Sequence, residues 1–132
     1  SKAAASELHV FAGAVRDIIN RSFDSFLQDD VELAKTVEPL EACIDDINVN
    51  VKSRHIERLT TGQCTIELGF VLTDISTNFE RVSDHCSNIA VSLIETSAGS
   101  FDTHEYLSEV KEGGSKDYTD LYHAYTKKYA LQ

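Results

Sequence analysis

Glu80, Asp84 and Asn88 follow one another at intervals of four in the segment Asn78-Phe79-Glu80-Arg81-Val82-Ser83-Asp84-His85-Cys86-Ser87-Asn88-Ile89-Ala90. On a helix that interval places them in one polar stripe. Phe79, Val82, Cys86 and Ile89 form an apolar stripe beside it. Carboxylates bordering a buried seam are costly unless their charge is compensated. A metal cation is one compensator, because hard ions take carboxylate and amide oxygens. The other is a polar network, with Arg81 or a cation from a neighbouring helix neutralising the acids. A second segment, Glu41-Ala42-Cys43-Ile44-Asp45, repeats the spacing. His85 adjoins the motif, but on an ideal helix it points about 100° away from Asp84. That geometry favours a surface or hydrogen-bonded role. Asp46, beside Asp45, reads as a solvent-facing charge.

The composition narrows the function classes. Twelve Lys and Arg against 22 Asp and Glu leave a net charge of −10. Such a surface is unsuited to nucleic acid and to anionic lipid, both of which need basic patches. Cys43, Cys64 and Cys86 are odd in number and contain no Cys-x-x-Cys pair. A disulfide scaffold or zinc ribbon is therefore not expected, and three free thiols fit a reducing compartment. Cys43 and Cys86 lie on or near apolar faces and read as inert core residues. No apolar run reaches the roughly 18–20 residues of a membrane span. Ser1-Lys2-Ala3-Ala4-Ala5-Ser6 is too short and polar for a signal peptide. The chain has no Met at all, and it reads as a piece of a longer protein.

Helical periodicity dominates, and no run alternates with period two. A first helix is expected over about residues 4–28, with Leu8, Phe11, Val15, Ile18 and Phe26 near one face. A second is expected over about 30–59 with the seam Leu33, Val37, Leu40, Ile44, Ile47, Val51, kinked by Pro39 near Lys35–Glu38. Thr60-Thr61-Gly62 should turn the chain and cap a third helix over about 61–97. That helix carries Ile66, Phe70, Thr73, Phe79, Val82, Cys86, Ile89 and Leu93 at helical spacing. Gly69 would allow close helix contact, and His55, near a helix end, would pair with terminal carbonyls. Beyond Ala98-Gly99-Ser100 come a short helix over 101–112, a Gly113-Gly114-Ser115 joint and a helix over 117–129. The last bears Tyr118, Leu121, Tyr122, Tyr125 and Tyr129. The expected architecture is all-α: an antiparallel three-helix bundle over 1–100, then a helical tail over 101–132 packing on the bundle or on a partner.

These features resemble the PhoU domain, and in particular the soluble C-terminal PhoU-like domain of bacterial sodium/phosphate cotransporter family proteins. The resemblance is carried by Glu80-Arg81-Val82-Ser83-Asp84-His85-Cys86-Ser87-Asn88-Ile89-Ala90, by Glu38-Pro39-Leu40-Glu41 with Ile44-Asp45, and by Arg54-His55-Ile56-Glu57-Arg58-Leu59. It implies a non-catalytic regulator of phosphate uptake on the cytoplasmic side of the membrane, attached to a membrane-embedded transporter domain of the same protein. It also implies iron or zinc held by Glu80 and Asp84 with Glu41 and Asp45, while Asn88 and His85 serve as extra or outer groups. PhoU-like chains usually carry two three-helix units and this one has a single unit, so pairing would come from self-association into a homo-oligomer. Two other classes fit the residues: a metal-free helical assembly module, and a carboxylate-bridged di-iron oxidase. No Glu-x-x-His occurs, which weighs against the oxidase. No Gly-rich phosphate loop or nucleophile elbow is present either.

Overall fold

The computed structural model describes residues 1–98 and 116–132. The expected helix over 101–112 and the Gly113-Gly114-Ser115 joint lie outside them. The described residues contain helices α1 (Lys2–Gln28), α2 (Val31–Ala34), α3 (Val37–Thr60), α4 (Ile66–Ser97) and α5 (Lys116–Lys128), with no strand among them. The expected all-α class holds. α1, α3 and α4 pack against one another, and α5 lies mainly along α3.

Each helix boundary has a local cause. The Ser1 side chain accepts from Ala4 N at the start of α1. Asp29 ends that helix in the left-handed region, at φ 51°, and Asp30 then caps α2 through Leu33 N. The expected second long helix is in fact two. It breaks at Lys35 and Thr36, where the Thr36 hydroxyl donates to the Leu33 carbonyl at 2.6 Å. Pro39 therefore sits in the first turn of α3 instead of kinking a continuous rod. A missing N–H costs nothing there, since first-turn donors have no intrahelical acceptor. The third long helix begins later than its periodicity suggests. Thr65, not Thr60 or Thr61, is its N-cap, accepting from Leu68 N, and Gly62 takes the left-handed turn at φ 72°.

The core consists of Phe11, Ala14, Val15 and Ile18 from α1, Ala34 from α2, Val37, Leu40, Cys43, Ile44, Ile47 and Val51 from α3, Leu72, Cys86, Ala90 and Ile94 from α4, and Tyr125 from α5. Phe11 meets Phe79 edge-on, with ring centroids 5.0 Å apart. The expected seam holds from Val37 to Val51, but Leu33 lies on α2 outside the core, where Ala34 is buried instead, and the α4 face is rotated. Ile66 and Phe70 are 67% and 70% exposed, while Ser76 and Ser83 are fully buried. Small side chains in those places let α4 approach its neighbours, so the inward face is less hydrophobic than the outward one suggests. On α1 the expected core residue Phe26 is 62% exposed, and Ser22 and Ser25 are fully buried in the same turns. Both serines donate back to carbonyls three residues earlier, which satisfies their hydroxyls.

His55 does not pair with terminal carbonyls. It is buried, with its imidazole against Gly69 of α4: a Cβ on that glycine would lie 2.5 Å from His55 Nε2. The close approach that Gly69 allows is thus an α3–α4 contact made through an imidazole. In an open helix Gly69→Ala would gain about 1 kcal/mol. Here the clash should reverse the sign, and denaturant unfolding should show a loss of about 1–3 kcal/mol. Combining Gly69→Ala with His55→Ala should restore the helix-propensity gain relative to His55→Ala alone.

Candidate metal centre

Because α3 and α4 run antiparallel, residues spaced three and four apart on one meet residues spaced likewise on the other. A polar ladder follows the seam. At one rung Asn48 Nδ2 donates to Glu80 Oε2 at 2.8 Å. At the next, Glu41 and Asp45 face Asp84, each offering a carboxylate oxygen, and these oxygens all lie within 4.8 Å of one another. At the third, the Ser87 hydroxyl donates to Glu38 Oε2 at 2.6 Å. Glu41 is buried, Asp45 half-buried and Asp84 exposed, so the group opens toward solvent at the α4 side.

Three of the four expected ligands are therefore together. The fourth, Glu80, stands one rung away on Asn48. Asn88 and His85 are elsewhere: they line a groove of about 520 Å³ with Phe26, Ile89 and Leu93. The ladder passes through Ser87, because its face is set by residues 80, 84 and 87 rather than 80, 84 and 88. Sequence reasoning did not single out Asn48, although it lies three residues beyond Asp45 and seven beyond Glu41 on the same stripe. The Asn48 Oδ1 oxygen is buried with no hydrogen-bond partner among the described residues.

The donor set fits a hard cation. Oxygens bound to one ion at about 2.0–2.6 Å lie no more than roughly 4–5 Å apart, and the three oxygens here fall within that limit. Asp84 makes no ion pair among the described residues, and its exposure gives an ion a way in. No nitrogen or sulfur donor belongs to the group.

The tail helix borders this seam. Tyr122 hydrogen-bonds the Asp46 carboxylate, which is exposed as expected. Burial, followed by the negative charges of Glu38 and Glu41, pushes the Tyr118 phenol up to about 12. Further along, the Tyr125 hydroxyl donates to the Thr36 carbonyl at 3.1 Å and Tyr129 to Asp17 Oδ2 at 2.7 Å. The Arg21 guanidinium holds Asp17 Oδ1 at 2.7 Å and lies over the Tyr125 ring. Burial alone would raise the Asp17 carboxyl, but hydrogen bonds from Tyr129 and Arg21 outweigh it, and the net shift is downward. Burial raises the thiols of Cys43, to about 11, and of Cys86, which suits core residues.

This arrangement defines a helical-bundle domain with a carboxylate seam. The PhoU domain family matches residues 8–93, and the chain belongs to that family. The phosphate-specific transport system accessory protein PhoU homolog 1 of Thermotoga maritima is 28% identical over 107 residues, covering 81% of this chain and 46% of that protein. The chain thus spans about half the length of the relative it matches. No solved structure matches it. Among the described residues no helix is long and apolar enough to cross a membrane.

The tail contacts predict a pH window. Tyr118, Tyr122, Tyr125 and Tyr129 all ionise above the ordinary 10.0 in the fold, so their contribution is whole below pH 10 and is lost as pH rises through the folded values. Asp17, lowered from 3.8, contributes above that value and loses its contribution as pH falls through the folded one. In a spectrophotometric titration, tyrosinate should form later than in the unfolded chain. Tyr129→Phe should loosen α5, read as faster hydrogen exchange over 116–128.

Proposed function

We propose that this chain is a regulatory, non-catalytic PhoU unit controlling sodium-linked phosphate uptake, and that it holds a metal ion at Glu41, Asp45 and Asp84, with Glu80 one rung away. The observation that carries the metal reading is the meeting of three carboxylate oxygens from two helices within 4.8 Å. Family membership and the phosphate-transport name of the relative support the phosphate context. The sodium-linked transporter, as a membrane-embedded domain of the same protein on whose cytoplasmic side this unit sits, rests on the sequence resemblance. Of the two metals that resemblance implies, ferric iron suits an all-oxygen donor set better than zinc, which more often takes nitrogen and sulfur.

An ion here would tie α3 to α4 without any bond being made or broken in a substrate. Its charge would also relieve the repulsion between Glu41, Asp45 and Asp84. Tyr118, which feels Glu38 and Glu41, links that change to the tail helix. The unit would then present a stiffer surface to its transporter when loaded. Regulation in this sense needs two states of the partner surface, biased by metal.

A second reading, assembly of two copies, is favoured by a separate observation. Phe23, Phe26 and Leu27 near the end of α1 are 51%, 62% and 76% exposed, and Phe26 borders the groove of about 520 Å³ beside α4. A homo-oligomer would cover that face.

Elemental analysis and titration of tag-free protein test the metal reading. Ferric iron should bind and raise the melting temperature, and chelation should reverse the gain. Asp84→Asn should weaken binding at least about ten-fold, or about 1.4 kcal/mol. Glu80→Gln should weaken it less. Unchanged melting after chelation, with no metal retained, would leave the assembly module as the function. Oxygen-dependent turnover on adding ferrous iron would instead favour the oxidase.

A further inference from the structure

At the end of the bundle opposite the carboxylates, α1 and α3 flank an open groove of about 460 Å³ bordered by Glu7, Arg54, Glu57, Arg58, Thr61 and Gln132. Two arginines share one acceptor there. Arg58 Nη1 donates to Glu7 Oε1 at 3.0 Å, and Arg54 Nη1 donates to the same oxygen at 3.3 Å. Arg54 also reaches the carbonyls of Gln132 and Leu131, at 2.8 and 3.4 Å. Arg58 is only 7% exposed, yet its Nε and Nη2 are buried without a hydrogen-bond partner among the described residues. Those two nitrogens form the edge of a guanidinium that takes a carboxylate or phosphate in two parallel hydrogen bonds. A buried charged donor without an acceptor costs more than an ordinary lost hydrogen bond.

Glu7 does not satisfy both guanidiniums. It is 3% exposed and serves both through one oxygen, while its Oε2 has no partner among the described residues. Glu57, the other carboxylate at the groove, is exposed and screened by water. The N-terminal end of α1 and the C-terminal end of α3 both border the groove, so their dipoles oppose each other there and the arginines carry the attraction. We infer that this groove binds a small oxyanion of the phosphate or carboxylate type, taken from the rim by Arg54 and two-pronged by Arg58 once its buried Nε–Nη2 edge turns toward the groove. The inference does not depend on the metal centre. Among the described residues the groove sets two guanidiniums side by side in a chain of net charge −10.

The test is calorimetric titration of the full chain with inorganic phosphate at constant ionic strength, in the presence of a chelator, with acetate and citrate in parallel arms. Saturable binding of phosphate or of a carboxylate, absent with chloride, is expected, and the preferred arm identifies the source. Arg58→Lys keeps the charge and removes the fork, so it should weaken binding about ten-fold or more. Arg54→Gln, at a partly exposed side chain, should weaken it several-fold and keeps the test decisive if the Arg58 variant fails to fold. Asp84→Asn should leave binding unchanged. No saturable binding in any arm would overturn the inference, as would binding that survives both arginine substitutions or is abolished by Asp84→Asn. The first of these outcomes would mean that water alone fills the groove.

Discussion

The bundle is organised around an electrostatically unfavourable contact. Carboxylate oxygens of Glu41, Asp45 and Asp84 lie within 4.8 Å of one another. Each pair of full charges at that distance repels by about 1 kcal/mol in bulk water, and by about 3–4 at the effective dielectric of a protein surface. A domain with about 5–15 kcal/mol of net stability does not retain such a contact without an offset. Hydrogen-bond donors supply part of the offset along the same seam, where Asn48 serves Glu80 and Ser87 serves Glu38. Glu41 and Asp45 have further interactions of their own, and the proposed cation would add to these at the middle rung.

That seam depends on how the neighbouring contacts are spaced. Gly69 lets His55 lie directly against α4, and buried Ser76 and Ser83 leave the helix surface low where it meets its neighbours. The ladder is then held in register by its outer rungs. Along α3, α5 is fixed by three phenolic hydroxyls, from Tyr122, Tyr125 and Tyr129, to Asp46, Thr36 and Asp17. The tail therefore attaches through directional hydrogen bonds as much as through its buried area.

Much of this was legible in the chain. The seam was legible from Val37 onward because Val37, Leu40, Ile44, Ile47 and Val51 are large, apolar and all inward, whereas at α2 Ala34 takes the core place expected of Leu33. The grouping of Glu41 and Asp45 with Asp84 followed from equal spacing on antiparallel helices. The α4 face was misjudged because its inward positions are Ser and Ala, while Ile66 and Phe70 look outward. Hydrophobicity ranks side chains by water avoidance, whereas close helix contact selects them by size. The break at Thr36 was hidden because an apolar period ran straight through it. Glu80 was placed in the cluster because equal spacing does not reveal which rung faces which. The burial of His55 and the sharing of Glu7 by two arginines join residues 47 to 51 positions apart or depend on a facing helix, and no local pattern encodes them.

α3 also sorts its ionic side chains along its length. Glu38, Glu41, Asp45 and Asp46 occupy the first half, and Lys52, Arg54 and Arg58 the second, with Glu57 the lone acid among them. This order runs with the peptide dipoles, which favour anions at the start of a helix and cations at its finish. From Glu38 to Arg58 the axis spans roughly 30 Å, several times the screening length of physiological salt. The rod therefore keeps its two signs of side-chain charge apart, each group offset by the dipole pole it sits on and screened from the other by salt.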